Sequence, residues 1–221
     1  MVVASVAWCV ALVALRICIA RQGYFAFLVY NLLLASLPLV FAFSFATIDR
    51  ARWATRAACF AGWFLFFPNA PYMLTDLMHL GRKPGAPLWF DLLLLLSFAF
   101  VALALGFCSL AIVQKRIAAR LTPGIAWLMS VGMLFLSAFG IFLGRFLRWN
   151  SWDVVARPFA LLTAIGDSMF NPAENAKTWG FTLGFGMLLT LMYMALRVLA
   201  NPATMRPVGN SSSRQSSAEP A

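Results

Sequence analysis

The chain reads as a succession of apolar runs, each near the ~20 residues that span a hydrocarbon core, separated by short connectors rich in Arg, Lys, Pro and Gly. The runs predict six spans, at residues 2–15, 23–48, 57–74, 88–113, 125–144 and 178–199. The first extends to residue 20 if Arg16 snorkels to the interface. It lacks a basic leader and a polar cleavage region, and so reads as a retained span. Within the second, Asn31 is placed to hydrogen-bond a neighbouring helix, and Pro38 to kink its own. The third meets Pro68 and Pro71, which lack amide hydrogens and disfavour helix in the residue before each. The pattern therefore predicts a helix break near 67–70, with carbonyls that need protein or a wet cavity. If helix resumes at Tyr72, Asp76 and His79 share a face at i and i+3.

Between the fifth and sixth spans, Ser151 can cap a helix over 152–170. Val155, Phe159, Leu162 and Met169 fall on one side of it, Arg157 and Asp167 on the other. That pattern, with Pro158 in the first turns, predicts an interfacial or re-entrant helix. The expected fold is an all-α polytopic membrane protein with about six transmembrane helices plus this one. A single membrane domain covers 1–200, and 201–221 is a polar, low-complexity tail expected to be disordered. Two GxxxG spacings, Gly140/Gly144 and Gly180/Gly184, predict close helix packing.

Composition agrees with the pattern. The 221 residues are 62% hydrophobic and 11% charged, whereas a soluble domain is about one-quarter charged. The net charge of +10 does not point to nucleic acid, because the bases sit in short juxtamembrane loops without interleaved stacking aromatics. The bilayer itself, with its anionic headgroups, is the expected partner. Cys9, Cys18, Cys59 and Cys108 lie in or beside apolar runs and read as small buried hydrophobes.

Six spans put both ends on one side. With the ends inside, the connectors hold nine bases inside and eight outside, a count that decides little. The inner clusters are tighter, and Asp76, Asp91, Asp153, Asp167 and Glu174 all fall outside, which favours cytoplasmic ends. Independently of orientation, the connectors after the third and fifth spans share one face. Pro68–Asn69–Ala70–Pro71, Asp76, His79, Asp91, Arg145, Arg148, Asn150 and Asp153 all reach it.

Candidate chemistry concentrates there. An imidazole is the ordinary acid–base group near neutrality, so His79 is a candidate catalyst, with Asp76 to orient it. Asn69, Asp91, Arg145, Arg148, Asn150 and Asp153 are candidate substrate-binding groups, the arginines for a phosphate or carboxylate. The same charges can instead neutralise one another and lock the loops, and Asp91 can serve its own helix dipole. One His among scattered carboxylates makes no zinc spacing, and no metal or cofactor is expected.

Three stretches resemble a known family when taken together: Phe67-Pro68-Asn69-Ala70-Pro71-Tyr72 with Thr75-Asp76-Leu77 and His79-Leu80; Trp89-Phe90-Asp91-Leu92; and Gly144-Arg145-Phe146-Leu147-Arg148-Trp149-Asn150-Ser151-Trp152-Asp153. They are similar to the bacterial membrane family catalogued as domain of unknown function 1361. The resemblance implies a multi-pass protein of a bacterial cytoplasmic membrane and supplies no substrate. Three functions stay open: envelope assembly or scaffolding, an enzyme acting on a lipid headgroup or envelope precursor, and a small-solute transporter.

Overall fold

The computed structural model describes residues 2–49, 52–149, 153–170 and 175–200. Every regular element among them is helical: α1 (Val2–Ala20), α2 (Phe27–Thr47), α3 (Trp53–Phe66), α4 (Asn69–Tyr72), a 3-10 segment (Met73–His79), α5 (Leu88–Ala118), α6 (Pro123–Phe146), α7 (Asp153–Ala156), α8 (Pro158–Phe170) and α9 (Ala176–Leu199). Five of these, α1, α2, α5, α6 and α9, are long and apolar enough to cross a membrane. The third expected span is not a single helix of that length but a run of three shorter elements, α3, α4 and the 3-10 segment. The path from α3 through the 3-10 segment follows about 40 Å of helix, more than the ~30 Å hydrocarbon core. The chain is an all-α polytopic membrane protein. Phe100, Leu128 and Leu33 point outward while Arg16, Asp76 and Asp91 are buried, an arrangement that only a lipid surround makes favourable.

The predicted break in the third span is found at Phe67–Pro68, between α3 and α4, and it is slight. Phe67 and Pro68 keep right-handed helical angles. Ala70 N–H bonds to the Phe67 carbonyl at 3.1 Å and Tyr72 N–H to that of Pro68 at 3.0 Å. The shift of Ala70 by one residue would strand the Phe66 carbonyl, and the Asn69 side-chain amide donates to it at 2.9 Å. Helix therefore resumes at Asn69 and contains Pro71, and the seven residues Met73–His79 continue in 3-10 form, long for that helix type.

Helix α5 is the axis of the bundle. Leu94, Leu95 and Phe98 pack with Leu28 and Leu32 of α2 and with Leu12 and Val13 of α1. Farther along, Phe107 and Leu110 join Trp63, Leu134, Leu189 and Tyr193. A Cβ on Gly106 would lie 2.6 Å from that of Ala70, so the glycine is what admits α4 against α5. One face of the bundle gathers the end of α1, the start of α2, the 3-10 segment, the start of α5 and the end of α6, as the contacts described below establish. At the other end Tyr193 and Arg197 of α9 donate to Gln114 of α5 at 2.7 and 2.6 Å. Gln114, expected in a connector, is thus inside α5 and buried.

Other expectations change. A Cβ on Gly140 would lie 3.7 Å from Pro68 and one on Gly144 3.3 Å from the Trp149 carbonyl, but one on Gly180 or Gly184 would meet nothing within 4 Å among the described residues. The close approach on α9 is at Gly186, against Phe135. Of the four cysteines Cys9 is buried, whereas Cys18 and Cys108 are exposed. The helix expected over 152–170 is split at Arg157, and its orientation differs. Phe159 and Leu162 point away from the protein, while Leu161 and Ile165 face the bundle across a cavity. Ser151 and the tail from 201 lie outside the described residues, as do the side chains of Val155 and Met169.

Candidate functional site

Asp76, on the first turn of the 3-10 segment, is 1% exposed. A carboxylate that deep needs compensation. Arg145 from the last turn of α6 supplies it, with Nη2 donating to Oδ1 at 2.6 Å. Asn31 from the first turns of α2 donates to Oδ2 at 3.2 Å. Arg145 also donates from Nε to the Thr75 hydroxyl at 3.0 Å, and its guanidinium lies 4.8 Å from the centre of the Tyr72 ring. Thr75 in turn donates to the Tyr72 carbonyl at 2.6 Å. The cluster joins three segments that are far apart in sequence.

His79 stands at its edge. Its Nδ1 is 3.2 Å from the backbone carbonyl of Asp76 and 3.8 Å from Asp76 Oδ1. The ring is 44% exposed on its side chain and leans on Phe27, with centroids 5.2 Å apart. The i,i+3 relation thus brings His79 to the main chain of Asp76 more closely than to its carboxylate. Replacing His79 by Gln is expected to leave stability within about 0.5 kcal/mol of wild type, read as the midpoint of denaturant unfolding in detergent.

Asp91 belongs to a different pair. Arg16 Nε donates to Asp91 Oδ1 at 2.6 Å and Nη2 to Oδ2 at 3.2 Å, with Nη2 also 3.4 Å from the Pro84 carbonyl. Arg16 is 1% exposed and Asp91 0%, and Phe25 lies 5.9 Å below the guanidinium. The snorkelling expected of Arg16 does not occur, because an acceptor for its charge is within the bundle. Asp91 still occupies the first turn of α5, so its dipole role and its pairing coexist.

Asp153 takes Arg157, one turn on, at 2.9 Å, and Arg157 lies 5.0 Å over the Trp149 ring. Arg148 is exposed and has a positive φ of 61°. Asn150 lies outside the described residues. Of the charges singled out from the sequence, the fold brings together Asp76, Arg145 and His79, and holds Asp91 and Asp153 in separate pairs. No three of His, Cys, Asp and Glu among the described residues are grouped to hold a metal ion.

Beside the Asp76 cluster lies a cavity of about 620 Å³ between α2, α3, α4, α6, α8 and α9. Leu34, Phe64, Phe139, Leu161 and Leu183 are among the side chains that make it mainly apolar, and Asn69 and Trp149 also reach it. Asn31 and Tyr72 belong both to its wall and to the ionic cluster. Asp76, His79, Asp91 and Arg145 do not line it. The aliphatic and aromatic wall had no polar signal in the sequence; the small residues Gly140 and Gly144, both in the wall, were its trace.

A family model described as protein of unknown function (DUF1361) matches residues 30–192, and the chain belongs to that family. The matched region contains the Asp76–Arg145 pair and every residue of the cavity wall, and leaves Arg16 outside. Neither a curated protein nor a solved structure matches the chain.

Proposed function

We propose that this family member is a binding and scaffolding protein of the bacterial cytoplasmic membrane that takes an amphiphilic component of the envelope into the cavity between α2, α6 and α9. The observation that carries this reading is the division of labour at the site. The wall of the 620 Å³ space is apolar with a few amides and ring polar groups, the usual make-up of a small-molecule pocket. The charges stand behind that wall and satisfy one another. An apolar body fits the cavity, and a polar end fits beside Asn31, Asn69 and Tyr72. The enzyme reading needs His79 or Asp76 at the wall, where neither is found. The tighter basic clusters at the opposite connectors support an extracytoplasmic position for this face.

Gly140 supplies the test. A Cβ there would meet the Pro68 ring at an ordinary 3.7 Å, so Gly140→Leu starts without a clash and adds side chain at the cavity wall. Gly132, on the same helix, has nothing within 4 Å and lies outside the wall, so Gly132→Leu is its control. Titration of the purified full chain with phosphatidylglycerol and phosphatidylethanolamine, followed by native mass spectrometry, should show binding weakened at least tenfold by Gly140→Leu, equivalent to about 1.4 kcal/mol, and unchanged by Gly132→Leu. Equal binding by both variants and the wild type would discard the cavity as the site.

A further inference from the structure

Hydroxyls inside helices ordinarily return their hydrogen to the carbonyl one turn earlier. Thr190 does so to Gly186 at 2.8 Å, and Ser130 to Ala126 at 2.9 Å. Thr182 does not. It is 5% exposed, its Oγ1 is shielded from solvent, and it has no hydrogen-bond partner among the described residues. Trp179, three residues earlier and hence on the same face of α9, carries an indole Nε1 in the same condition. Both side chains belong to the wall of the 620 Å³ cavity. Two buried polar groups left unsatisfied three residues apart on one helix face are uncommon, and each calls for a partner. An indole N–H can only donate, and a hydroxyl can donate. The missing partner is therefore an acceptor.

The acceptor is uncharged. A phosphate or carboxylate in this position would be buried without a counter-ion, because Arg145 is committed to Asp76 and does not line the space. A second cavity of about 320 Å³ continues the first and shares Phe64, Met133 and Leu136 with it. From Gly144 to Met129, wall residues of α6 extend over about 22 Å of helix axis, more than the roughly 15 Å depth of one leaflet. The shape suits one long hydrocarbon chain with a carbonyl partway along the molecule.

We propose that Thr182 and Trp179 recognise an ester carbonyl of an acylglycerol lipid, whose acyl chain follows α6 into the second cavity. This rests on the binding reading above and names its ligand class. The test compares dioleoyl phosphatidylglycerol with its dialkyl ether analogue, which has the same headgroup and chains but no carbonyl. The purified wild-type chain should bind the ester about tenfold more tightly, by native mass spectrometry. Thr182→Val, nearly the same in shape, should weaken the ester several-fold and leave the ether unchanged. Thr182→Ser should retain the preference, and Thr182→Val with Trp179→Phe should abolish it. Equal wild-type affinity for ester and ether, with Gly140→Leu still weakening both, would overturn carbonyl recognition and spare the cavity reading. No binding of either lipid would overturn both.

Discussion

Replacing Arg16 by Met should lower the unfolding free energy by about 3–5 kcal/mol, the largest effect expected of a single substitution in this protein. Both oxygens of Asp91 are held by Arg16, and neither side chain is more than 1% exposed. Removing the guanidinium leaves a buried carboxylate without a compensating cation among the described residues. The loss is not the value of the pair as such. It is the cost of an uncompensated charge, so the double variant Arg16→Met, Asp91→Asn should recover most of it. Arg16→Lys should fall between the two, because an ammonium is a point donor that cannot span two oxygens as the guanidinium does. Denaturant unfolding in detergent measures all four proteins. A single variant within 1 kcal/mol of wild type would show that the pair contributes little.

The second large effect is expected at Arg145. Arg145→Met strips Asp76 of its only charged partner at hydrogen-bond distance among the described residues, leaving Asn31 on one oxygen. A loss of about 3 kcal/mol is expected, below that at Arg16, since Arg145 keeps 14% side-chain exposure and the site is nearer to solvent. This variant should also weaken lipid binding, which Arg16→Met at constant folded fraction should not. The reason is geometric. Asn31 and Tyr72 contact the Asp76–Arg145 pair on one side and the cavity on the other, so relaxation of the pair moves the wall. The same unfolding titration, with native mass spectrometry of the folded fraction, separates the two effects. Binding by Arg145→Met at wild-type strength would mean that the ionic cluster and the cavity are independent.

Much of this layout was legible along the chain. The spans, the shared face of the connectors after the third and fifth, and the nomination of Asp76 and Arg145 follow from run lengths and from where charge interrupts them. The fate of the two prolines was legible only in part. Local rules predict the break found between α3 and α4, but not that it would be so slight, with Asn69 reaching back to the Phe66 carbonyl. Arg16 was misplaced for a related reason. An arginine near a helix end snorkels unless something inside the bundle accepts it, and that acceptor, Asp91, is 75 residues away. Gly180 and Gly184 had the spacing of a packing motif, yet a Cβ there would meet nothing within 4 Å among the described residues, while one on Gly106 or Gly186, outside any motif, would come within 2.6 Å of a neighbour.

The sequence by itself determined that this chain is a helical membrane protein, because runs of that length and apolarity are stable only where backbone polar groups are satisfied within a helix and the side chains face lipid. It also determined which residues are too costly to leave unpaired in such a medium. Only the tertiary structure decided which charge meets which, and where the cavity opens. In a soluble helix the polar face marks the outside. Here the surface toward lipid and the surface toward the core are both apolar, as Leu33 and Leu32 of α2, one exposed and one buried, illustrate. The inward face of each helix is then set by packing shape and by a few polar contacts between distant segments, and no local pattern encodes it.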